Sequence, residues 1–200
     1  NANTQPFVAW QWLAGNSAGS TNDDGSVDST VTVNTTAGFS ICKLNPGGNS
    51  NITFGHGLGV APRLVMVKDL EDATNWQVLH LDQGVGNKLF LNSNAAAASD
   101  ANMWQNPAPT STVVSMGTAQ TTNEQFIAYC FAEVEGYSKF SSYIGNGNVD
   151  GPYGYTGFKP AFIIFKNISA SSQDWEMFDN KRDGFNDANR RLYPNTNDTE

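Results

Sequence analysis

Two stretches of this chain, residues 39–80 and 140–179, repeat one pattern, and any fold must accommodate both copies. Each copy has an aromatic-led start, closely spaced glycines, a proline, an apolar run ending in lysine, and then a tryptophan. The matched positions keep their order, with spacings that agree to within one residue: Pro62 with Pro160, Lys68 with Lys166, and Trp76 with Trp175. Such ordered agreement indicates two copies of one structural unit.

A second correspondence lies upstream of each copy, where FVAWQW at residues 7–12 is similar to FIAYCF at residues 126–131. The first copy continues well beyond its tryptophan, whereas the second has few residues left, so the second copy looks truncated. We therefore expect a single β-sandwich-like domain over residues 1–200, with related halves at about 7–125 and 126–200. We also expect residues 7–12 to supply the strand that the second half lacks.

Short runs of β-branched and aromatic residues, separated by turn residues, predict an all-β fold. Residues 27–33, VDSTVTV, alternate as a half-buried strand does. LVMV at 64–67 and FIIF at 162–165 are continuously apolar, which is typical of strands covered on both faces. Abundant Asn, Ser, Thr and Gly favour turns over helices. The expected architecture is an antiparallel β-sandwich built from an internal duplication, with little helix.

The charge balance excludes two classes of partner. The formal net charge is -8 and the pI is about 4.6, whereas nucleic acids and anionic membrane surfaces attract basic patches. No apolar run approaches the roughly 18 residues of a membrane span. We expect neither nucleic-acid binding nor membrane insertion. Cys42 and Cys130 are the only cysteines, and we expect buried free thiols rather than a disulfide.

No set of residues predicts a catalytic centre. Glu133 and Glu135 are two residues apart in a strand-like segment, but neighbours on one strand face rarely form the cleft that a glycosidase pair needs. His56 and His80 have no metal-ligand spacing around them. The acidic loops at 22–28 and 179–187 allow calcium, yet neither matches the twelve-residue calcium loop. We expect no enzyme activity, no metal and no cofactor.

Exposed aromatic rings can stack on sugars, so aromatic residues in polar loops are candidate glycan contacts. Trp76 and Trp175 occupy equivalent repeat positions, which favours core packing for both. Trp104, in a polar loop, and Tyr153 with Tyr155, in a glycine-rich turn, are the candidate glycan contacts.

Several motifs together resemble a module found in structural proteins of tailed bacteriophages, especially marine ones. They span most of the chain: TTAGFSI at 35–41, GHGLGVAP at 55–62, FIAYCFAEVEGYSKF at 126–140, GNG at 145–147, GFKPA at 157–161 and FDNKRD at 178–183. The resemblance implies a place in a tail fibre or another virion protein, and it carries over no catalytic or ligand-binding residue.

The resemblance, the repeat and the acidic surface lead to one expected function. We expect a non-enzymatic virion structural protein, a segment of a tail fibre or similar exterior appendage that contributes to host-receptor recognition. Its expected partners are further copies of itself, as a homo-oligomer with a trimer favoured, other virion proteins, and host surface glycan. The alternative is a carbohydrate-binding surface protein or a capsid decoration protein.

Overall fold

The computed structural model describes residues 7–104, 107–118, 125–182 and 190–198. These residues form twelve strands, one short 3-10 helix at Leu81–Gln83, and no α-helix. In chain order, the strands are β1 (Ser20–Asn22), β2 (Ser29–Asn34), β3 (Phe39–Leu44), β4 (Ile52–Gly55), β5 (Leu64–Asp69), β6 (Gln77–His80), β7 (Asn87–Phe90), β8 (Ala98–Ser99), β9 (Val113–Met116), β10 (Phe126–Phe131), β11 (Phe162–Lys166) and β12 (Trp175–Asp179). In the described part of the chain, no helix is long and apolar enough to cross a membrane.

Eight strands form one antiparallel sheet, which we call the main sheet, in the order β1-β2-β3-β10-β5-β6-β7-β8. β10 lies near its centre, where Ala128 faces Cys42 of β3 on one side and Val67 of β5 on the other. Successive side chains of a strand point to opposite faces, and small Ala128 and Cys130 are fully buried on the same face. The apolar sequence of β10 therefore suits a central strand.

The pair β4–β9 covers one face of the main sheet. Phe54 of β4 lies opposite Val114 of β9, and both are fully buried. They belong to one apolar core with Val65 and Val67 of β5 and with Cys130 of β10. This packing of a small sheet on a large one confirms the prediction of an all-β, sandwich-like fold.

The β11–β12 hairpin packs against the other face of the main sheet. Trp175 of β12 is buried with Val78 and Leu89, and Ile164 of β11 packs beside them. The Trp175 indole Nε1 also donates a hydrogen bond to the Phe90 carbonyl at 2.9 Å. Because successive residues of β5 and β6 alternate between faces, these strands contribute to both cores.

The hairpins β5–β6 and β11–β12 share one geometry. Leu64 faces His80 in the first hairpin, and the matched residues Phe162 and Asp179 face each other in the second. The matched lysines also bind their loops alike. Lys68 Nζ donates to two loop carbonyls at 2.6 and 2.8 Å, and Lys166 Nζ donates to two at 2.7 Å. The repeated sequence pattern therefore corresponds to a repeated hairpin structure.

Two sequence expectations about the halves differ from the structure. Residues 7–12 form no strand, although their rings lie beside β11: the Trp10 and Trp12 ring centroids are 5.3 and 5.5 Å from that of Phe162. β10, expected to open the second half, instead lies between β3 and β5. A segment whose sequence resembles that of a strand has strand propensity. It forms a strand only where a backbone partner lies within hydrogen-bonding distance.

Candidate interaction surface

A continuous exposed segment, residues 141–155, separates the base of β10 from the β11–β12 hairpin, and we call it the arm. Its sequence, SSYIGNGNVDGPYGY, contains four glycines and a proline and lacks strand-like alternation, so it forms no regular structure. Asn146 organises its middle, because its side chain donates to the Asp150 carbonyl at 2.8 Å and accepts from the Asn148 N–H at 3.0 Å. The arm is therefore a locally bonded surface segment.

The arm exposes large apolar side chains. Tyr153 is 89% exposed and Tyr155 is 75% exposed, so both predicted residues lie at the surface. Three further exposed residues belong to the same surface and were not singled out from sequence: Tyr143, Ile144 and Val149. The sequence context could have indicated them, because apolar residues among Gly, Asn and Ser show no alternation that would assign them to a core. Several exposed apolar side chains within one short segment indicate a candidate contact site.

The arm glycines point to the same conclusion. A Cβ added at Gly145, Gly151 or Gly154 would meet no atom of the chain within 4 Å, and none of the three has a left-handed backbone. Neither packing nor backbone conformation within the described chain therefore requires glycine at these positions. Glycine is also the residue that allows another molecule to approach the backbone closely.

Glu133 bonds to Lys139 and Phe140, immediately before the arm begins. β10 ends at Phe131, and Glu133 and Glu135 flank Val134, which bridges to Ser138 in a tight turn beyond the strand. The Glu133 carboxylate accepts the Phe140 N–H at 3.0 Å and pairs with Lys139 at 3.1 Å. Burial acts to raise the pKa of Glu133, but these bonds outweigh burial, so its pKa lies below its ordinary value.

Trp104, the third predicted glycan contact, is not at the surface. Its side chain is 1% exposed and packs in the core under β4–β9, where Trp104 bridges to Met116. Its indole Nε1 has no hydrogen-bond partner among the described residues. A polar local sequence predicted an exposed loop, but the bridge to β9 turns the ring inwards. The glycan prediction for Trp104 is therefore wrong for the folded chain.

Both histidines have structural environments. His56 is fully buried; its Nδ1 accepts the Leu58 N–H at 3.2 Å, so its Nε2 carries the proton and donates to the Thr110 carbonyl at 3.2 Å. Burial lowers the pKa of His56, and burial likewise lowers the pKa of His80. The buried, doubly bonded His56 ring is therefore part of the core, whereas His80 is half-buried.

The acidic loops bond internally, and the cysteines are buried. Asp24 and Asn22 bond to each other at 3.1 Å, and Asp179 pairs with Arg182 at 2.7 Å, while residues 183–187 lie outside the described part. Among the described residues, no cluster of three or more His, Cys, Asp or Glu side chains could hold a metal. Cys42 and Cys130 are buried free thiols, and the hydrogen bond with Cys42, together with burial, raises the pKa of Cys130.

Comparison with known families yields one match. The family model that matches residues 1–200 is described as "Domain of unknown function (DUF7483)". No curated protein matches the chain, and no solved structure matches it.

Proposed function

We propose that this chain, which belongs to the DUF7483 family, is a non-enzymatic structural module of a bacteriophage virion, within a tail fibre or similar exterior appendage. The observation that supports this proposal best is the arm, fifteen consecutive exposed residues with three tyrosines and two aliphatic side chains. The motif resemblance over most of the chain supports the place in the virion.

The arm favours assembly because its apolar surface is costly in water. Burying an isoleucine or valine side chain contributes about 1.5–3 kcal/mol relative to leaving it exposed. A contact that covers several arm residues therefore has a substantial driving force. Appendages are commonly built from symmetric copies, so the proposed partner is the chain itself, as a trimer, with other virion proteins and host glycan as further contacts.

The mass of the chain in solution tests the assembly part of the proposal. We expect light scattering after size exclusion to give the mass of a trimer or larger assembly. Replacing Tyr143, Tyr153 and Tyr155 by serine is expected to weaken that assembly at least tenfold, because each lost ring removes buried apolar area. The matched control is Tyr137→Ser, an exposed tyrosine outside the arm. A monomeric parent chain would contradict self-assembly.

The place in the virion needs a separate test. Antibodies raised against the chain should label the tails of purified phage particles that encode it, when the particles are viewed by electron microscopy. Labelling of unassembled protein but not of intact particles would contradict the proposed location.

A second candidate, glycan binding, is favoured by Tyr153 and Tyr155, which are exposed two residues apart in a glycine-rich stretch. Two such rings offer stacking faces for sugars. Binding of the chain to immobilised bacterial surface glycans should then fall at least tenfold in Tyr153→Ala and in Tyr155→Ala, but not in Tyr137→Ala. Equal signals from all three variants would count against this candidate.

A further inference from the structure

The outer edge of β11 offers unpaired backbone groups. Met177 of β12 makes both of its backbone hydrogen bonds with Leu192. The residues on either side of Met177 therefore form the backbone hydrogen bonds between β12 and β11. The N–H and C=O groups of Phe162, Ile164 and Lys166 consequently point to the other side of β11. Among the described residues, no strand or loop is hydrogen-bonded to that side.

The first copy shows which kind of strand fits this edge. β5 is the counterpart of β11, and its matching edge pairs with β10, with Leu64 opposite Phe131 and Met66 opposite Tyr129. The difference in exposure is large: Val65 of β5 is fully buried, while its counterpart Ile163 is 46% exposed. The second hairpin thus repeats the first without the neighbours that complete it.

Residues 7–12 have the sequence of such a neighbour. FVAWQW matches FIAYCF of β10 in order and in type, with aromatic residues at the first, fourth and sixth positions. In its own chain this segment forms no strand, and it leaves Phe7 85% exposed and Trp12 43% exposed. The Trp10 and Trp12 rings contact the Phe162 ring, so this segment already lies beside β11 without pairing with it.

We propose that residues 7–12 of a second copy pair with β11 as an antiparallel strand, in the register that β10 takes on β5. Trp12 then lies opposite Phe162, and Gln11 lies opposite Ile163. This inference deepens the proposed function, on whose self-assembly it rests, because it names the strand and the edge through which copies join. The main-chain bonds supply affinity, and the alternating aromatic side chains fix the register.

A second copy is the favoured source because no backbone hydrogen bond among the described residues joins the chain's own segment to β11. The Leu13 carbonyl, next to Trp12, is bonded by the Asn34 side chain at 3.1 Å, which ties this end of the segment to β2. Each copy carries this segment and the open edge of β11. The contact is therefore head-to-tail, and it closes into a ring, such as a trimer, or extends as a filament.

Disulfide trapping between copies tests the inference. Gln11→Cys and Ile163→Cys are made in separate full-length chains, and the two chains are mixed under mild oxidation; both positions are exposed, and the native cysteines are buried. We expect a covalent dimer that contains one chain of each kind. The matched control mixes Gln11→Cys with Val60→Cys, an exposed site distant from β11 in sequence, and is expected to give at least tenfold less of that dimer.

The outcomes separate this inference from the proposed function. Trapping in the mixture, but not in the control, supports exchange between copies. If the double variant Gln11→Cys, Ile163→Cys cross-links only within one chain, or if the mixture gives no more dimer than the control, the inference is overturned. An assembly found by light scattering without trapping would leave the proposed function standing and remove only this strand pairing.

Discussion

Burial lowers the pKa of His56 and outweighs the hydrogen bond to the Thr110 carbonyl, which acts to raise it, so acid should weaken the fold. Its pKa in the folded chain lies below the ordinary value of 6.5, so the unfolded chain binds its proton more readily. The stability it contributes is complete above pH 6.5 and is lost as the pH falls towards the folded pKa.

We expect the urea midpoint of the parent chain to be lower at pH 5 than at pH 7.5. His56→Gln, whose amide can replace the Nε2 donor and does not titrate, should lose part of that difference. His80→Gln measures separately the share of the pH dependence that comes from the half-buried His80, whose pKa burial also lowers. An unchanged pH dependence in His56→Gln would contradict this role for His56.

Asp179 should contribute stability at neutral pH and lose it only in strong acid. Its carboxylate, 4% exposed, accepts the N–H groups of Lys181 and Arg182 and the Arg182 side chain. Burial acts to raise the pKa of Asp179, but these bonds dominate and lower it from 3.8 to about 2. The contribution is complete above about pH 4 and disappears as the pH falls to about 2.

Asp179→Asn should therefore destabilise the chain by about 1–3 kcal/mol at pH 7, measured by urea denaturation, because charged hydrogen bonds are lost. Asp150→Asn, in the exposed arm, should change stability by less than about 0.5 kcal/mol. Equal effects of the two substitutions would refute the assignment.

Trp104 and Tyr155 should respond in opposite ways to truncation. Trp104→Ala removes a buried ring and should cost about 3–5 kcal/mol of unfolding free energy. Tyr155→Ala removes an exposed ring and should change stability by less than about 0.5 kcal/mol. Thermal or urea denaturation compares them, and a mild effect of Trp104→Ala would show that its ring does not lie in the core.

At the scale of elements, one hydrogen bond should help to hold the second hairpin on the main sheet. Trp175→Phe keeps most of the ring but loses the 2.9 Å bond to the Phe90 carbonyl, which should cost about 1–3 kcal/mol. Trp76→Phe, at the matched repeat position, is the control: Trp76 is half-buried and stacks on Tyr129. If denaturation shows equal losses, the Trp175 bond does not hold the hairpin.

Elements with a clear local pattern were predictable from the sequence. FIIF at 162–165 became β11 because its apolar run and the preceding proline both fit a strand entrance. Residues 7–12 have the same kind of pattern and form no strand, because pairing depends on a partner that local sequence does not specify.

For the candidate surface, Tyr153 and Tyr155 could be named from their glycine-rich context. The inward turn of Trp104 depends on its contact with β9 and could not be foreseen.

At the scale of the whole molecule, the charge of each copy should oppose assembly. Every chain carries a formal net charge of -8, so copies repel one another at long range. Raising the salt from about 0.05 M to about 0.5 M shortens the range of this repulsion severalfold. Sedimentation should therefore show a larger assembled fraction at high salt. Dissociation by salt would instead indicate that ion pairs hold the copies together.

The central position of β10 also determines when the main sheet can form. β10 pairs with β3, whose residues lie more than 80 positions earlier, so the sheet has high contact order and should fold slowly. During synthesis on a ribosome, β3 and β5 emerge first, and each presents an unsatisfied apolar edge until residue 131 is available. A pause in translation before β10 would therefore leave the unpaired edges of β3 and β5 exposed at the same time. Nascent chains should be most prone to aggregate during this interval.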